Sequence, residues 1–424
     1  LPRARDEVRF GRVEARRPVR ARRLAVDRAG EQILLQCAKQ RTATRGGGVV
    51  RLYKNNTDFE GHSYGCHENF LLNREIPFQQ VIDGLLPYVV TRQIFAGAGK
   101  VGVEQDVKAN ASTYQLAQRS DFFEVIASVD TMHRRPLVNT RDEPHADAGR
   151  YRRLHLIIGD ANMCEYATAL KVGSAALAID LLEIGELPAC ELADPIGALK
   201  EISRDESRHW TVVLARGGTI SALEIQADIV TAADRLFKGR DEETDWVLNE
   251  WRGTLEALAR DPQEMVGRLD WVTKKWLLDA FAESEGLDWE KPEDRTWLQS
   301  QDLEYHNIDP DEGLHLMLEQ QGQVERLVSQ DDVLRAMVDP PRDTRAYFRG
   351  KALQKFPDRV RSLNWDSIEF ALGDGSRTVD LKGCVDEETA ATYNACFDAA
   401  TSVEDLLKRL AIASGQPPET GGAE

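Results

Sequence analysis

The segment from Asn139 to Asp160 reads NTRDEPHADAGRYRRLHLIIGD. It gathers His145 and His155, Asp142, Glu143 and Asp147, and Arg141, Arg150, Arg152 and Arg153 around one proline. Pro144 cannot continue a helix, so TRDEPHAD is expected as a loop, whereas YRRLHLIIGD alternates in the manner of a strand. With a period of two, Arg152, Leu154, Leu156 and Ile158 share the core face, and Tyr151, Arg153, His155 and Ile157 share the other. Arg153 and His155 then stand roughly 7 Å apart along the strand, a cation beside an imidazole, which suits phosphate and metal together. The same arithmetic on GCHENFLLN, from Gly65 to Asn73, sets His67, Asn69 and Leu71 on one face and Cys66, Glu68 and Phe70 on the other. A histidine in one strand is more often a satisfied structural residue than a ligand. Two strands built alike point to a sheet face that displays His, Asn, Arg and His to a metal-bridged nucleotide.

At 424 residues the chain is long enough for one large domain with an appendage, or for two to three ordinary ones. Its formal charge of −17 argues against a general affinity for nucleic acid or anionic lipid. No apolar run approaches the roughly 18 residues of a membrane span, and no signal peptide is evident, so a cytoplasmic protein without a membrane partner is expected. Cys37, Cys66, Cys164, Cys190, Cys384 and Cys396 lack the close spacing of a zinc site or a disulfide framework and read as reduced thiols.

Residues 1–26 form an arginine-rich arm. Its first 23 residues hold nine arginines and no lysine, with no apolar period that would make a helix or strand. A basic tail for nucleic acid or an acidic partner is one reading; non-native or disordered sequence is the preferred one, and nucleic acid is not expected as a partner. AGEQILLQCAKQ, with Ile33, Leu34 and Cys37 at helical spacing, then predicts a helix, and GGGVVRLYKNN a turn and a strand. PFQQVIDGLLPYVVTRQIF reads as a helix. GAGKVG lacks the terminal Lys-Ser/Thr of a phosphate loop and reads as a turn. DPQEMVGRLDWVTKKWLLDAF predicts one helix capped by Asp261, with Met265, Leu269, Val272, Trp276 and Leu277 along a core stripe. Pro340 and Pro341 mark a boundary. The domains expected are therefore 27–338 and a small C-terminal one, 339–413, with 414–424 as a disordered tail.

KNNTD, SYGCHENFLLNR, VTRQIFAGAGKVG, NTRDEPHADAGRYRRLHLIIGDANM and PPRDTRAYFRG together closely resemble the actinobacterial family of the Pup ligase and the Pup deamidase/depupylase. YGCHENF also resembles the His-x-Asn stretch of glutamine synthetase, to whose catalytic fold that family belongs. The resemblance implies an α+β fold: a glutamine-synthetase-like curved, mainly antiparallel sheet backed by helices, with a small C-terminal α+β domain. It implies ATP and Mg2+ as cofactors, His67 and His155 as metal ligands, and Asn69, Arg153 and Trp365 as ATP contacts. Without the family, Trp365 in LNWDSIEF reads equally well as core packing. Arg141 is a weaker candidate for an electrostatic role at the reacting centre.

QLAQRSDFFEV, IIGDANM, RLDWVTKKWLLDAF and NWDSIEF are nearer the deamidase/depupylase, while KNNTD and YGCHEN are nearer the ligase. The deamidase/depupylase releases ammonia from the C-terminal Gln of Pup and hydrolyses the isopeptide bond of pupylated proteins, in the pathway that feeds the proteasome. Both reactions attack a γ-carboxamide carbon, with an Asp as nucleophile or as base for water. The family's Asp-bearing segment and Glu-rich first strand find no match here. The expectation is a fragment with half of the metal site and no catalytic Asp, for which Asp58 and Asp142 are not substitutes. The alternatives are a Pup ligase and a non-catalytic homologue that binds Pup or nucleotide.

Overall fold

The structure is a computed structural model, and it describes residues 13–14, 21–45, 48–104, 113–129, 134–342, 344–373 and 375–413. The chain divides into two compact units: residues 1–142 with 153–329, and residues 143–152 with 330–424.

The first unit opens with β1 (Val13–Glu14), α1 (Ala21–Arg45) and β2 (Glu68–Asn73). It continues through α2 (Phe78–Thr91), α3 (Gln93–Ala96), β3 (Lys100–Val101), β4 (Tyr114–Gln115), β5 (Phe123–Ser128) and β6 (Arg135–Asn139). Next come β7 (Tyr151–Leu156), α4 (Glu165–Glu183), α5 (Pro195–Arg204), β8 (Thr211–Val213) and β9 (Thr219–Ser221). Helices α6 (Ala222–Phe237), α7 (Glu242–Arg260), α8 (Asp270–Glu285), α9 (Pro292–Tyr305) and α10 (Leu314–Gln320) complete it.

Its main sheet has the order β1-β2-β7-β6-β5. The inner face of β2 and β7 feeds Phe70, Leu72, Leu154 and Leu156 into one core, where Leu170, Leu177 and Leu181 of α4 meet them. Helix α4 is buried nearly all round, as its run of alanines and leucines requires. A Cβ on Gly173 would come within 2.5 Å of Val247 Cγ2, so the glycine sets how closely α7 can pack. Helix α6 starts with a full capping box from Ser221 and Glu224.

The second unit holds α11 (Gln330–Ala336), α12 (Arg345–Lys355), an antiparallel sheet of β10 (Val360–Leu363), β11 (Ser367–Leu372) and β12 (Gly375–Asp380), then α13 (Glu387–Ala399) and α14 (Val403–Ala413). Phe348, Ile368, Phe370, Phe397 and Leu406 are the centre of its own core. No helix among the described residues is long and apolar enough to cross a membrane.

The α+β class stands, with helices packed on sheet in the first unit. Strand direction is more mixed than expected. The smaller sheets are antiparallel, and so is β6 with β7, but β1 runs parallel to β2 and β5 parallel to β6. Four local expectations also change. In the arginine-rich arm, Val13 and Glu14 pair with Phe70 and Leu71, and α1 begins at Ala21; residues 1–12, 15–20 and the tail 414–424 lie outside the described residues.

The expected strand at GGGVVRLYKNN is no more than a bridge between Tyr53 and Asn307. Val49 and Val50 are exposed there, and Lys54 fastens the segment by bonding Asp27 and Glu31 of α1, each at 2.8 Å. Helix α1 forms as predicted, yet Ile33, Leu34 and Cys37 are exposed on it. The single helix expected after Asp261 is two: a 3-10 turn, Pro262–Met265, then α8. Gly267 separates them with φ +82, and a Cβ there would lie 2.3 Å from the Gln323 carbonyl oxygen. Met265, Leu269 and Val272 of the predicted stripe are nevertheless buried.

Candidate functional site

The alternation of β2 and β7 decides what faces outward. Phe70, Leu154, Leu156 and Ile158 are buried in the core, while His67, Asn69 and His155 are half-buried on the opposite side. Adjacency of β2 and β7 brings the two histidines together: their ring centroids are 4.8 Å apart at an interplanar angle of 64°. His67 precedes β2 directly and its ring folds back over Gly65, where a Cβ would lie 2.3 Å from His67 Nε2. The side-chain oxygen of Asn69 is buried and has no hydrogen-bond partner among the described residues. A buried acceptor left so is costly unless a ligand donates to it.

Arg153 is 9 % exposed and is oriented by its neighbours: Nη2 donates to the Arg141 carbonyl oxygen at 3.0 Å, and its backbone N–H donates to Asp142 Oδ1 at 3.3 Å. Asp142 is itself paired with Arg74 at 2.8 Å. Arg141 contributes its backbone here, since its N–H donates to Asn139 Oδ1 at 2.7 Å while its side chain is exposed. Asn139 was not singled out from the sequence. It stands opposite His155 in the β6–β7 ladder, and its place at the head of NTRDEPH, at the end of a strand, was the available signal.

The back of the sheet holds this face rigid. Glu68, on the core side of β2, receives both guanidinium nitrogens of Arg92 at 2.5 and 2.9 Å, and both residues are buried. The segment IIGDAN beyond β7 is gripped from three directions. Arg119 donates to the carbonyl oxygens of Ile157 and Gly159, Lys171 donates to the Asp160 carbonyl at 2.6 Å and to Asn162 Oδ1 at 2.7 Å, and Asp160 accepts the N–H groups of Ala98 and Gln118 at 3.0 and 2.8 Å. Burial pushes the Asp160 carboxyl above its ordinary range. Gly159 has to be small, because a Cβ would lie 2.4 Å from Glu68 Oε1.

Further in, His306 Nε2 accepts from Lys274 at 2.8 Å and from Gln118 at 2.9 Å, so its proton sits on Nδ1 and is donated to the Lys54 carbonyl at 2.8 Å. Burial, then the Lys274 ammonium, hold that imidazole well below its usual pKa. In GAGKVG, Lys100 and Val101 form strand β3 where a turn was expected, and the Lys100 ammonium is spent on Glu104.

Mg2+ prefers oxygen ligands. Among the described residues, the groups that bring three ligand-type side chains within 4.8 Å are Cys164, Asp270, His315 and Asp58, Glu60, His62, and neither contains His67 or His155. Asp270 Oδ1 is committed to the N–H groups of Met163 and Cys164, and Asp58 to His62 and Tyr64. Two imidazoles are not by themselves a magnesium site, and no chemical step is drawn through the metal. Trp365 lies in the second unit, in the turn between β10 and β11. It is 43 % exposed and outside that unit's core, against the core-packing alternative.

A family model described as Pup-ligase protein matches residues 14–369. The chain is similar to a Pup deamidase/depupylase of Mycolicibacterium smegmatis, 42% identical over 392 residues that cover 91% of this chain and 76% of that protein. It is similar to a Pup–protein ligase of Nakamurella multipartita, 43% identical over 369 residues that cover 85% of this chain and 80% of the other. A solved Pup ligase in complex with ADP superposes with a TM-score of 0.77 at 33% identity, over 92% of this chain and 84% of that one.

Proposed function

The chain belongs to the Pup-ligase protein family, and on that premise we propose that it is a deamidase/depupylase that uses bound ATP to act on Pup and on pupylated proteins. The observation that carries the proposal is the outward face of β2 and β7, where the His67–His155 ring pair stands with Asn69 and its unsatisfied buried oxygen. In this reading Asn69 accepts a hydrogen bond from the nucleotide. Arg153, held in place through Arg141 and Asp142, supplies a fixed positive charge for its phosphates. Trp365 is likewise proposed as an ATP contact. His67 and His155 are the proposed metal ligands, and the group that attacks the γ-carboxamide carbon is unassigned.

The choice of hydrolase over ligase rests on the segments Gln115–Val125, Ile157–Met163 and Arg268–Phe281, which resemble the deamidase/depupylase more closely. A cytoplasmic setting and a link to proteasomal breakdown of pupylated proteins belong to the same proposal. Three parallel reactions test it, each with ATP: Pup ending in Gln, a pupylated protein, and Pup ending in Glu with a lysine-bearing acceptor. Conversion of Gln to Glu in the first and release of free acceptor in the second are expected. Conjugation in the third, with neither of the others, makes the protein a ligase and overturns the reading. A non-catalytic homologue is the outcome in which none of the three reactions proceeds although ATP and Pup bind.

A further inference from the structure

Glu68 places a charge where an apolar side chain is the rule. Along β2 the period of two groups it with Phe70 and Leu72, which enter the core, while its neighbours His67 and Asn69 lie on the opposite side. Its carboxylate meets Arg92 in a two-point fork, Nη1 to Oε2 at 2.9 Å and Nη2 to Oε1 at 2.5 Å, and the two residues are only 4 % and 2 % exposed. Arg92 stands at the joint between α2 and α3, where its N–H donates to the Tyr88 carbonyl at 2.9 Å and its own carbonyl accepts from the Ala96 N–H at 2.9 Å. Its guanidinium carbon lies 5.7 Å from the centroid of the Tyr88 ring, and the Tyr88 hydroxyl is hydrogen-bonded to Ser174 Oγ of α4 at 2.8 Å. The fork is therefore anchored to the helical layer behind the sheet.

For stability alone such a pair is a weak choice. Two charges taken out of water stabilise a core no more than a well-packed apolar pair of similar volume, while losing one partner leaves the other buried and uncompensated. What the fork adds is direction. Hydrophobic burial is non-directional, whereas a bidentate guanidinium fixes both the position and the plane of the carboxylate, and with them the strand that carries it. Asn69 depends on this most. Its Oδ1 is buried without a hydrogen-bond partner among the described residues, so its place is set by its backbone, and that backbone is fastened one residue away. Gly159 closes the remaining side of Glu68, since a Cβ there would lie 2.4 Å from Oε1.

We propose that Glu68 and Arg92 are positioning residues of the nucleotide site, a two-point lock on the core face of β2 that holds Asn69 Oδ1 where the nucleotide donates to it. The inference rests on the reading of Asn69 as a nucleotide contact. An apolar pair at these two positions satisfies the fold and does not satisfy the site.

The test is calorimetric binding of ATP to the full chain carrying Glu68→Leu/Arg92→Met, Arg92→Lys, Asn69→Ala, and the apolar pair combined with Asn69→Ala, with a thermal melt of each. The apolar pair is expected to melt close to the parent's temperature or above it. It should nevertheless bind ATP about three- to tenfold more weakly, the range expected for Asn69→Ala itself. In the Asn69→Ala background the apolar pair should have no further effect, because the lock acts through Asn69. Arg92→Lys keeps the charge and loses the fork, so its affinity should fall between those of the parent and the apolar pair. Parent-like affinity in a folded apolar pair overturns the proposal, and so does an equal additional loss in the Asn69→Ala background. If the apolar pair does not fold, Arg92→Lys decides, and parent-like affinity there overturns the proposal too. If Asn69→Ala weakens ATP binding and the lock variants do not, the inference fails and the reading of Asn69 survives. If Asn69→Ala leaves ATP binding unchanged, both fail.

Discussion

Several side chains do their work through what burial makes of their charge. His315 is fully enclosed: its Nδ1 has no partner among the described residues, its Nε2 lies 3.6 Å from Cys164 Sγ, and burial pushes its pKa down to about 3. His306 is displaced in the same direction by burial and by Lys274. In the unfolded chain an imidazole takes up its proton near pH 6.5, so between there and about pH 3 the unfolded state binds more protons than the folded one. Stability is therefore full above about pH 6.5 and is lost on acidification, by about 1.4 kcal/mol per pH unit for each such histidine. Urea unfolding at pH 7.5 and 5.5 checks this. His315→Gln should reduce the pH slope by about one histidine's share, and an unchanged slope would show that His315 is not held neutral.

Among the elements, β7 and the IIGDAN segment after it matter most, because they position His155 and Arg153 while locking against β2. Gly159→Ala would drive a methyl to within 2.4 Å of Glu68 Oε1, which cannot swing away while both its oxygens bind Arg92. A loss of about 1–3 kcal/mol is expected, read as a fall in melting temperature. Gly48→Ala, whose Cβ would meet open space, should stay within about 0.5 kcal/mol of the parent. The alternation of this strand was legible in the sequence because one face is packed and the other is not, so Leu154 and Leu156 could be told from Arg153 and His155. The break before α8 was not. It depends on Gly267 meeting the backbone of Gln323, a contact between residues far apart in sequence. The exposed Ile33 and Leu34 show the same limit, since periodicity reveals a helix without revealing what covers its apolar side. Strand direction in the main sheet was also out of reach, because alternation reads the same in parallel and antiparallel pairs.

Across the whole molecule, the long motifs that carry the family resemblance divide into two kinds. QLAQRSDF, IIGDANM and DWVTKK supply Gln118, Asp160, Asn162, Asp270 and Lys274 to the buried polar network that holds the first unit together. YGCHENF and YRRLH present the outward face. The placement of Asn69, Arg153 and His155 was readable because each sits on a strand whose other face had to be buried, with His67 just before β2; Asn139 was missed because its place depends on the β6–β7 register. The account stands on that face being where nucleotide binds. The direct measurement is calorimetric titration of ATP into the parent chain and into the Asn69→Ala and Arg153→Met variants, each shown by thermal melting to be folded. The account predicts that the parent binds ATP, that Arg153→Met loses about tenfold or more in affinity, as expected for a hydrogen bond to a charged group, and that Asn69→Ala loses about three- to tenfold, as for a neutral one. Unchanged affinity in both variants, or no binding to the parent, would contradict it.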